Sequence, residues 1–238
     1  MPPLPLRIRV LLASGFGVAG VVVVSRLIGP WLPASAGHPW TAAALFAVMM
    51  TAVVVTVSAH HPFARFGPAN DVTMIRAALA ALTAALLVEA PAERIAWWVV
   101  GATAGMAALD GLDGWLARRT GLASAFGARF DVEVDALQIL VLSLFVWRYD
   151  KAGIWVLACG SMRYLFVAAG WVLPWLAGPL RPTLRGKSVA VGQFAGLGLA
   201  LAPVVPVPAS VIVAAITLAA LVWSFGIDVR RLKGSEGG

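Results

Sequence analysis

Long runs of apolar residues, separated by short polar segments, dominate the pattern of this 238-residue chain. A helix that crosses the hydrocarbon core of a bilayer needs about 20 mostly apolar residues. Because no stretch sustains the period of two that marks a membrane β-strand, the pattern favours an all-α integral membrane protein. The apolar runs predict eight transmembrane helices, near residues 10–30, 40–59, 72–90, 95–110, 131–149, 152–176, 188–205 and 208–226.

Lysine and arginine residues between the runs indicate the orientation, because these residues concentrate on the cytoplasmic side of membrane proteins. If the N-terminus is cytoplasmic and the chain crosses eight times, four of these residues fall outside: Arg26, Arg94, Arg148 and Lys151. Twelve fall inside: Arg7, Arg9, Arg65, Arg118, Arg119, Arg129, Arg181, Arg185, Lys187, Arg230, Arg231 and Lys233. We therefore expect both termini in the cytoplasm. A cleaved signal peptide is the alternative interpretation of the first run, with a cleavage site at residues 34–36.

Composition excludes several classes of protein. Hydrophobic residues make up 61% of the chain and charged residues only 12%, whereas a soluble domain has about 25% charged residues. The single cysteine, Cys159, excludes a fold stapled by disulfides. The net charge of +7 comes from bases at the ends of apolar runs and not from a clustered basic face, so we expect no nucleic-acid partner. His38, His60 and His61 lie in connecting segments without partners at metal-ligand spacing, and we expect them to be interfacial or solvated.

Acidic residues gather in one segment, residues 110–135. Asp110 and Asp113 are separated by three positions and Asp131 and Asp135 by four, so each pair shares one face of a helix. The two predicted helices are joined by a short linker, which allows an antiparallel hairpin and lets the two acidic faces meet. The sequence therefore predicts four converging carboxylates at membrane depth.

Four converging carboxylates need compensating positive charge, because like charges in a buried site repel each other. Arginine pairing with Arg118, Arg119 or Arg129 is one solution, and it would make the segment a charged structural hairpin. A divalent cation is the other solution, and an all-oxygen ligand set without histidine or cysteine suits Mg²⁺, Mn²⁺ or Ca²⁺. Small residues around the carboxylates leave room for close approach of a ligand or of a neighbouring helix.

The spacing of this segment resembles the signature of the CDP-alcohol phosphatidyltransferase family, DxxDGxxARx8GxxxDxxxD. Every fixed position matches in residue and spacing: Asp110, Asp113, Gly114, Ala117, Arg118, Gly127, Asp131 and Asp135. The resemblance covers about residues 65–226 and implies a six-helix membrane core. We therefore expect two additional N-terminal transmembrane helices in residues 1–62, the family core in residues 63–228 and a cytoplasmic tail in residues 229–238.

The resemblance also implies the activity and its cofactors. A phosphatidyl group would pass from a CDP-linked lipid, such as CDP-diacylglycerol, to an acceptor alcohol, with release of CMP, in phospholipid biosynthesis. Two Mg²⁺ or Mn²⁺ ions would be held by Asp110, Asp113, Asp131 and Asp135, and Asp135 would also be the general base. The implied CDP-binding residues are Asn70, Thr73, Asp110, Gly114, Ala117, Arg118 and Gly127.

Two further segments resemble parts of the family pattern. Residues 70–76 match its N-x-x-T-x-x-R segment, although Asn70 could equally cap a helix. Arg163 lies within a predicted span, where an arginine is costly and therefore indicates function. Arg185 and Lys187 lie in a stretch that keeps part of the family's G-K-x-K-T-x-x-Q spacing, and topological anchoring is the alternative for such bases. With Arg163, they are the expected acceptor-binding residues.

The acceptor is not determined by these residues. Glycerol 3-phosphate is the first expectation, and inositol phosphate, serine and choline stay open. A different class of function, a non-enzymatic cation transporter, would require acids spread across the depth of the membrane, and an intramembrane prenyltransferase would require two separate acidic motifs. The resemblance also implies a homodimer, and we expect a multi-pass protein of a bacterial inner membrane with its active site facing the cytoplasm.

Overall fold

The computed structural model describes residues 5–178 and 183–234, and every regular element in that part of the chain is helical. The predicted all-helical class is therefore confirmed for the described residues, and each predicted apolar run overlaps one α-helix. The helices are α1 (Leu6–Ile28), α2 (His38–His60), α3 (Pro68–Ala85), α4 (Glu93–Thr120), α5 (Ala125–Arg148), α6 (Leu157–Val172), α7 (Leu184–Leu201) and α8 (Val207–Gly234). Arg181, one of the bases expected on the cytoplasmic side, lies outside the described residues.

Six helical segments of the described chain are long and apolar enough to cross a membrane: Leu6–Trp31, His38–His60, Pro68–Val88, Glu93–Thr120, Ile154–Val172 and Val207–Lys233. These segments indicate a multi-pass membrane protein. Helices α5 and α7 are not apolar enough to be counted among these segments, because α5 carries five charged residues and α7 has Arg185 and Lys187 in its first turn. Eight crossings, and the orientation derived from them, stay predictions.

The chain divides into two compact units, residues 1–138 and 139–238. In the first unit, α1 packs on α2, and both pack on α3, which in turn packs on α4. Small residues permit this close packing: a Cβ atom at Gly17 of α1 would lie 2.7 Å from the ring of Phe46 on α2. The buried face of α3 is formed mainly by alanines, including Ala77, Ala80 and Ala81. Close approach of helix backbones through small residues is the usual mode of packing in membranes.

Polar side chains also connect the first two helices to α3. The hydroxyl of Ser25 on α1 bonds Nδ1 of His38 at 2.6 Å, and Nε2 of His38 donates to the carbonyl of Leu82 on α3 at 3.2 Å. The hydroxyl of Ser35 donates to Glu89, just beyond α3, at 2.8 Å. His38 is almost completely buried, so the expectation of a solvated side chain is wrong for this residue. Sequence spacing alone did not indicate these partners, because they come from other helices.

The second unit contains α6, α7, α8 and the C-terminal part of α5. Helices α7 and α8 pack closely where Gly196 faces the side chain of Thr217, and the Gln193 side chain donates to the Thr217 carbonyl at 2.9 Å. The Lys151 ammonium donates to the carbonyls of Ala202 at 3.2 Å and Val205 at 2.6 Å, in the connection between α7 and α8. The predicted boundaries near residues 62 and 228 stay predictions, and α8 continues past the second of them to Gly234.

Candidate active site

The acidic segment forms the predicted helical hairpin. Helix α4 ends at Thr120 and is followed by Gly121, whose φ of +67° is a left-handed conformation that glycine adopts without steric cost. Helix α5 begins a few residues later, and the Ser124 hydroxyl caps it by accepting the Gly127 amide at 3.0 Å. Asp110 and Asp113 therefore lie near the end of α4, and Asp131 and Asp135 near the start of α5.

All four carboxylates converge on the guanidinium of Arg76 from α3. Its Nη1 lies 3.1 Å from Oδ1 of Asp110 and 2.7 Å from Oδ2 of Asp113, and it also bonds Asp131. Its Nη2 bonds Oδ1 of Asp135. The structure thus brings together every aspartate that the sequence analysis singled out. This clustering at one place is unlike the spread of acids that a cation path requires.

Arg76 is the compensating cation, and the sequence analysis assigned it no role. Its side chain is 0% exposed, whereas the side chain of Asp113 is 6% exposed and that of Asp110 is 37% exposed. The arginines considered from the sequence are placed differently: Arg118 and Arg129 are exposed, and Arg119 stacks on Trp115 with its guanidinium 4.8 Å from the ring centroid. The signal for Arg76 was present in the sequence, because an arginine inside an apolar helix is costly and needs buried partners.

One guanidinium leaves negative charge in the cluster, and this charge suits a divalent cation. Asp110, Asp113 and Asp131 each offer a carboxylate oxygen, and these oxygens lie within 4.8 Å of one another. The donor set contains only oxygen, which hard cations such as Mg²⁺ and Mn²⁺ prefer. The residues present therefore fit a divalent metal. Asp135 lies outside this group of three, but its carboxylate forms an ion pair with the same guanidinium, that of Arg76.

Two of the residues expected near a nucleotide, Asn70 and Thr73, lie next to residues of the signature. The Thr73 hydroxyl lies 3.3 Å from Oδ2 of Asp113, and the Asn70 amide donates to the Phe66 carbonyl. A Cβ atom at Gly127 would lie 2.6 Å from Oδ1 of Asn70, so this position admits only glycine unless Asn70 moves. A Cβ atom at Gly114 would make ordinary contact at 3.5 Å with the Arg118 guanidinium. Ala117 is partly buried on the same helix. These contacts bring Asn70 and Thr73 next to the signature residues.

The expected acceptor-binding residues all belong to the second unit. Arg185 on α7 forms an ion pair with Asp228 on α8, and Lys187 is exposed one half-turn later. Arg163 lies within α6 and is partly buried. The role of these three residues as acceptor ligands stays a prediction.

Comparison with known proteins supports the resemblance that the acidic signature indicates. The model of one protein family, described as CDP-alcohol phosphatidyltransferase, matches residues 66–223, which is more than half of the chain. No curated protein and no solved structure was found to match the chain. The matched range contains α3, Arg76 and all four aspartates of the cluster. The chain therefore belongs to the CDP-alcohol phosphatidyltransferase family.

Proposed function

We propose that this protein transfers a phosphatidyl group from CDP-diacylglycerol, or a similar CDP-linked lipid, to an acceptor alcohol and releases CMP in phospholipid biosynthesis. Membership of the family implies phosphatidyl transfer from a CDP-alcohol. The observation that carries the proposal is the convergence of Asp110, Asp113, Asp131 and Asp135 in one cluster next to Asn70 and Thr73.

Asp110, Asp113 and Asp131 are the residues that would hold a divalent metal, and Asp135 is proposed to complete a second site. When bound, Mg²⁺ or Mn²⁺ supplies positive charge that stabilises the phosphates during displacement. The carboxylate oxygens of the first three residues are already close enough for shared ligation, which supports this assignment. A set of two ions is part of the proposal.

Asp135 is proposed to act as the general base. Its carboxylate accepts the proton of the acceptor hydroxyl while that oxygen attacks the β-phosphorus of the CDP-lipid. The new oxygen–phosphorus bond replaces the bond between the β-phosphorus and the bridging oxygen, and CMP leaves with that oxygen. Asp135 is partly exposed at 20%, so an acceptor can reach it, and Arg76 holds its Oδ1 atom in place.

The CDP group is proposed to bind between α3 and the α4–α5 hairpin. The residues assigned to this role are Asn70, Thr73, Asp110, Gly114, Ala117, Arg118 and Gly127. Gly127 keeps space beside Asn70, because a side chain at residue 127 would collide with it. The exposed Arg118 guanidinium supplies charge-assisted hydrogen bonds to phosphate.

The acceptor is proposed to be glycerol 3-phosphate, bound by Arg163, Arg185 and Lys187. Guanidinium groups suit the phosphate of such an acceptor because they form two parallel hydrogen bonds to it. Inositol phosphate, serine and choline are the other acceptors to test. We further propose eight crossings with both termini and the active site on the cytoplasmic side of a bacterial inner membrane, in a homodimer. The excess of lysine and arginine in the corresponding connections supports this orientation.

The test is CMP release by the purified protein in nanodiscs that contain CDP-diacylglycerol, with Mn²⁺ or EDTA and with each acceptor in turn. CMP release that requires both an acceptor and the divalent cation supports the proposal, and its absence with every acceptor refutes it. Asp135→Asn is nearly isosteric and should lower turnover by about a hundredfold or more. Glu93→Gln, at the exposed first turn of α4, is the matched control. Normal turnover by Asp135→Asn would refute the assignment of the base.

A further inference from the structure

His61 connects the N-terminal helices to the acidic hairpin. It directly follows α2 as its C-terminal cap, it lies outside the matched family range, and it is only 7% exposed. The expectation of a solvated His61 side chain is therefore wrong. Its ring is enclosed by three aromatic rings, with centroids 5.6 Å away for Phe63, 6.4 Å for Phe66 and 5.5 Å for Phe126.

Both ring nitrogens of His61 have a defined partner. Nε2 lies 2.8 Å from the carbonyl oxygen of Arg65, and Nδ1 lies 3.1 Å from the hydroxyl of Ser124. A carbonyl oxygen only accepts, so Nε2 carries the hydrogen and Nδ1 of the singly protonated ring accepts. The Ser124 hydroxyl donates its proton to Nδ1, and its oxygen accepts the Gly127 amide at 3.0 Å. Every donor in this chain of hydrogen bonds therefore points to an acceptor.

This chain of hydrogen bonds ends at the first turn of α5. Ser124 caps the helix, and Gly127 packs directly against Oδ1 of Asn70. Asp131 and Asp135 follow on the same helix, one and two turns after Gly127. A rigid helix transmits a displacement of its first turn to the residues that follow. The position of Ser124 therefore affects the positions of Gly127, in the proposed nucleotide pocket, and of Asp135, the proposed base.

We propose that His61 is a positioning residue that fixes Ser124 and, through it, the first turn of α5, so that the two N-terminal helices take part in binding the CDP-lipid. This inference rests on the proposed function for the kinetics of CMP release, whereas hydrogen exchange tests the positioning role independently. Helix α2, which His61 directly follows, packs on α3, and the rings of Phe63, Phe66 and Phe126 contact the His61 ring. The N-terminal helices are thus a support for the active site as well as additional membrane spans.

The first experiment measures hydrogen exchange of the α5 amides, which is independent of activity. His61→Ala removes the acceptor for Ser124, and exchange at residues 127 and 128 should rise by about two- to tenfold, as expected for the loss of one hydrogen bond. His61→Asn keeps an acceptor close to the position of Nδ1 and should keep the α5 amides protected from exchange. His61→Gln keeps only a donor to the Arg65 carbonyl and should leave these amides as exposed to exchange as in His61→Ala. The matched control is His60→Ala, because the exposed His60 ring bonds the Thr56 carbonyl of its own helix, at 3.1 Å.

The second experiment measures the kinetics of CMP release. His61→Ala should raise KM for CDP-diacylglycerol by about two- to tenfold. Ser124→Ala should raise it similarly, and the double variant should add nothing further because both substitutions break the same chain. Unchanged exchange in His61→Ala, or equal behaviour of the asparagine and glutamine variants, would overturn the proposal. If the wild type releases no CMP but exchange responds as described, the positioning role stands and the proposed function fails.

Discussion

Removal of Arg76 should destabilise the metal-free protein more than any other single change of a charge. The Arg76→Met variant keeps an unbranched apolar stem but removes the guanidinium, which leaves four carboxylates without their shared cation. Breaking a buried ion pair by removing one partner costs about 3–5 kcal/mol, because the remaining charge is left buried. Asp113, with a side chain only 6% exposed, contributes most of this cost, while water screens the more exposed Asp110.

Thermal unfolding in nanodiscs measures this cost. In EDTA, Arg76→Met should lower Tm by about 10 °C, since about 1 kcal/mol corresponds to roughly 2–4 °C in a chain of this size. Mn²⁺ should recover more Tm in the variant than in the wild type, because the carboxylates that Nη1 contacts are those that fit a metal. The Tm of Arg76→Lys in EDTA should lie between those of the wild type and Arg76→Met, because an ammonium keeps the charge but cannot reproduce the planar fork of a guanidinium.

The exposed Arg94, in the first turn of α4, provides a matched control. Arg94→Met removes the same charge and should leave Tm within about 2 °C of the wild type, as is usual for exposed sites. The reasoning would be refuted if Arg76→Met unfolded in EDTA at the same temperature as the wild type. It would also be refuted if Mn²⁺ raised Tm equally in both proteins.

Two further substitutions test the proposed substrate pockets by steady-state kinetics. Gly127→Ala places a methyl group 2.6 Å from Oδ1 of Asn70 and should raise KM for CDP-diacylglycerol by about tenfold. The control, Gly101→Ala, has open space around the added methyl group and should leave this KM unchanged. Equal KM values in the two variants would contradict the prediction that residue 127 must be small. Arg185→Gln should raise KM for an anionic acceptor by about tenfold and leave KM for the CDP-lipid unchanged. The control is Arg230→Gln, at an exposed position of α8. A higher KM for both substrates in Arg185→Gln would contradict a role of Arg185 in binding the acceptor.

Local sequence patterns predicted the elements that carry the site. Apolar runs predicted the positions of the helices because helix formation follows from side chains that are neighbours along the chain. The spacing of Asp110 and Asp113, and of Asp131 and Asp135, predicted two acidic faces, since the period of an α-helix is the same in every protein. The linker predicted the hairpin, and Gly121 and Ser124 end one helix and begin the next as local capping rules require.

The number of crossings is less clearly determined by the sequence. The runs that became α5 and α7 contain the charges of the proposed site, and these charges lower the apolar content on which a span is recognised. A helix with such charges is stable in a membrane only if neighbouring helices supply partners. Whether a charged helix crosses therefore depends on its packing and not on its own composition.

The helices, the acidic hairpin and the family signature could be predicted from the sequence, because each depends on residues close together in the chain. The ion pairs of Arg76 with the four aspartates and the hydrogen bond between His61 and Ser124 join residues that are far apart in the chain, so they became evident from the folded structure. Arg118, Arg119 and Arg129 lie nearer in sequence to these acids, but all three are exposed, and Arg119 stacks on Trp115. The physical reason is that burial selects the partner of a charge: the fully buried guanidinium of Arg76 must be paired, whereas exposed arginines are solvated by water and headgroups.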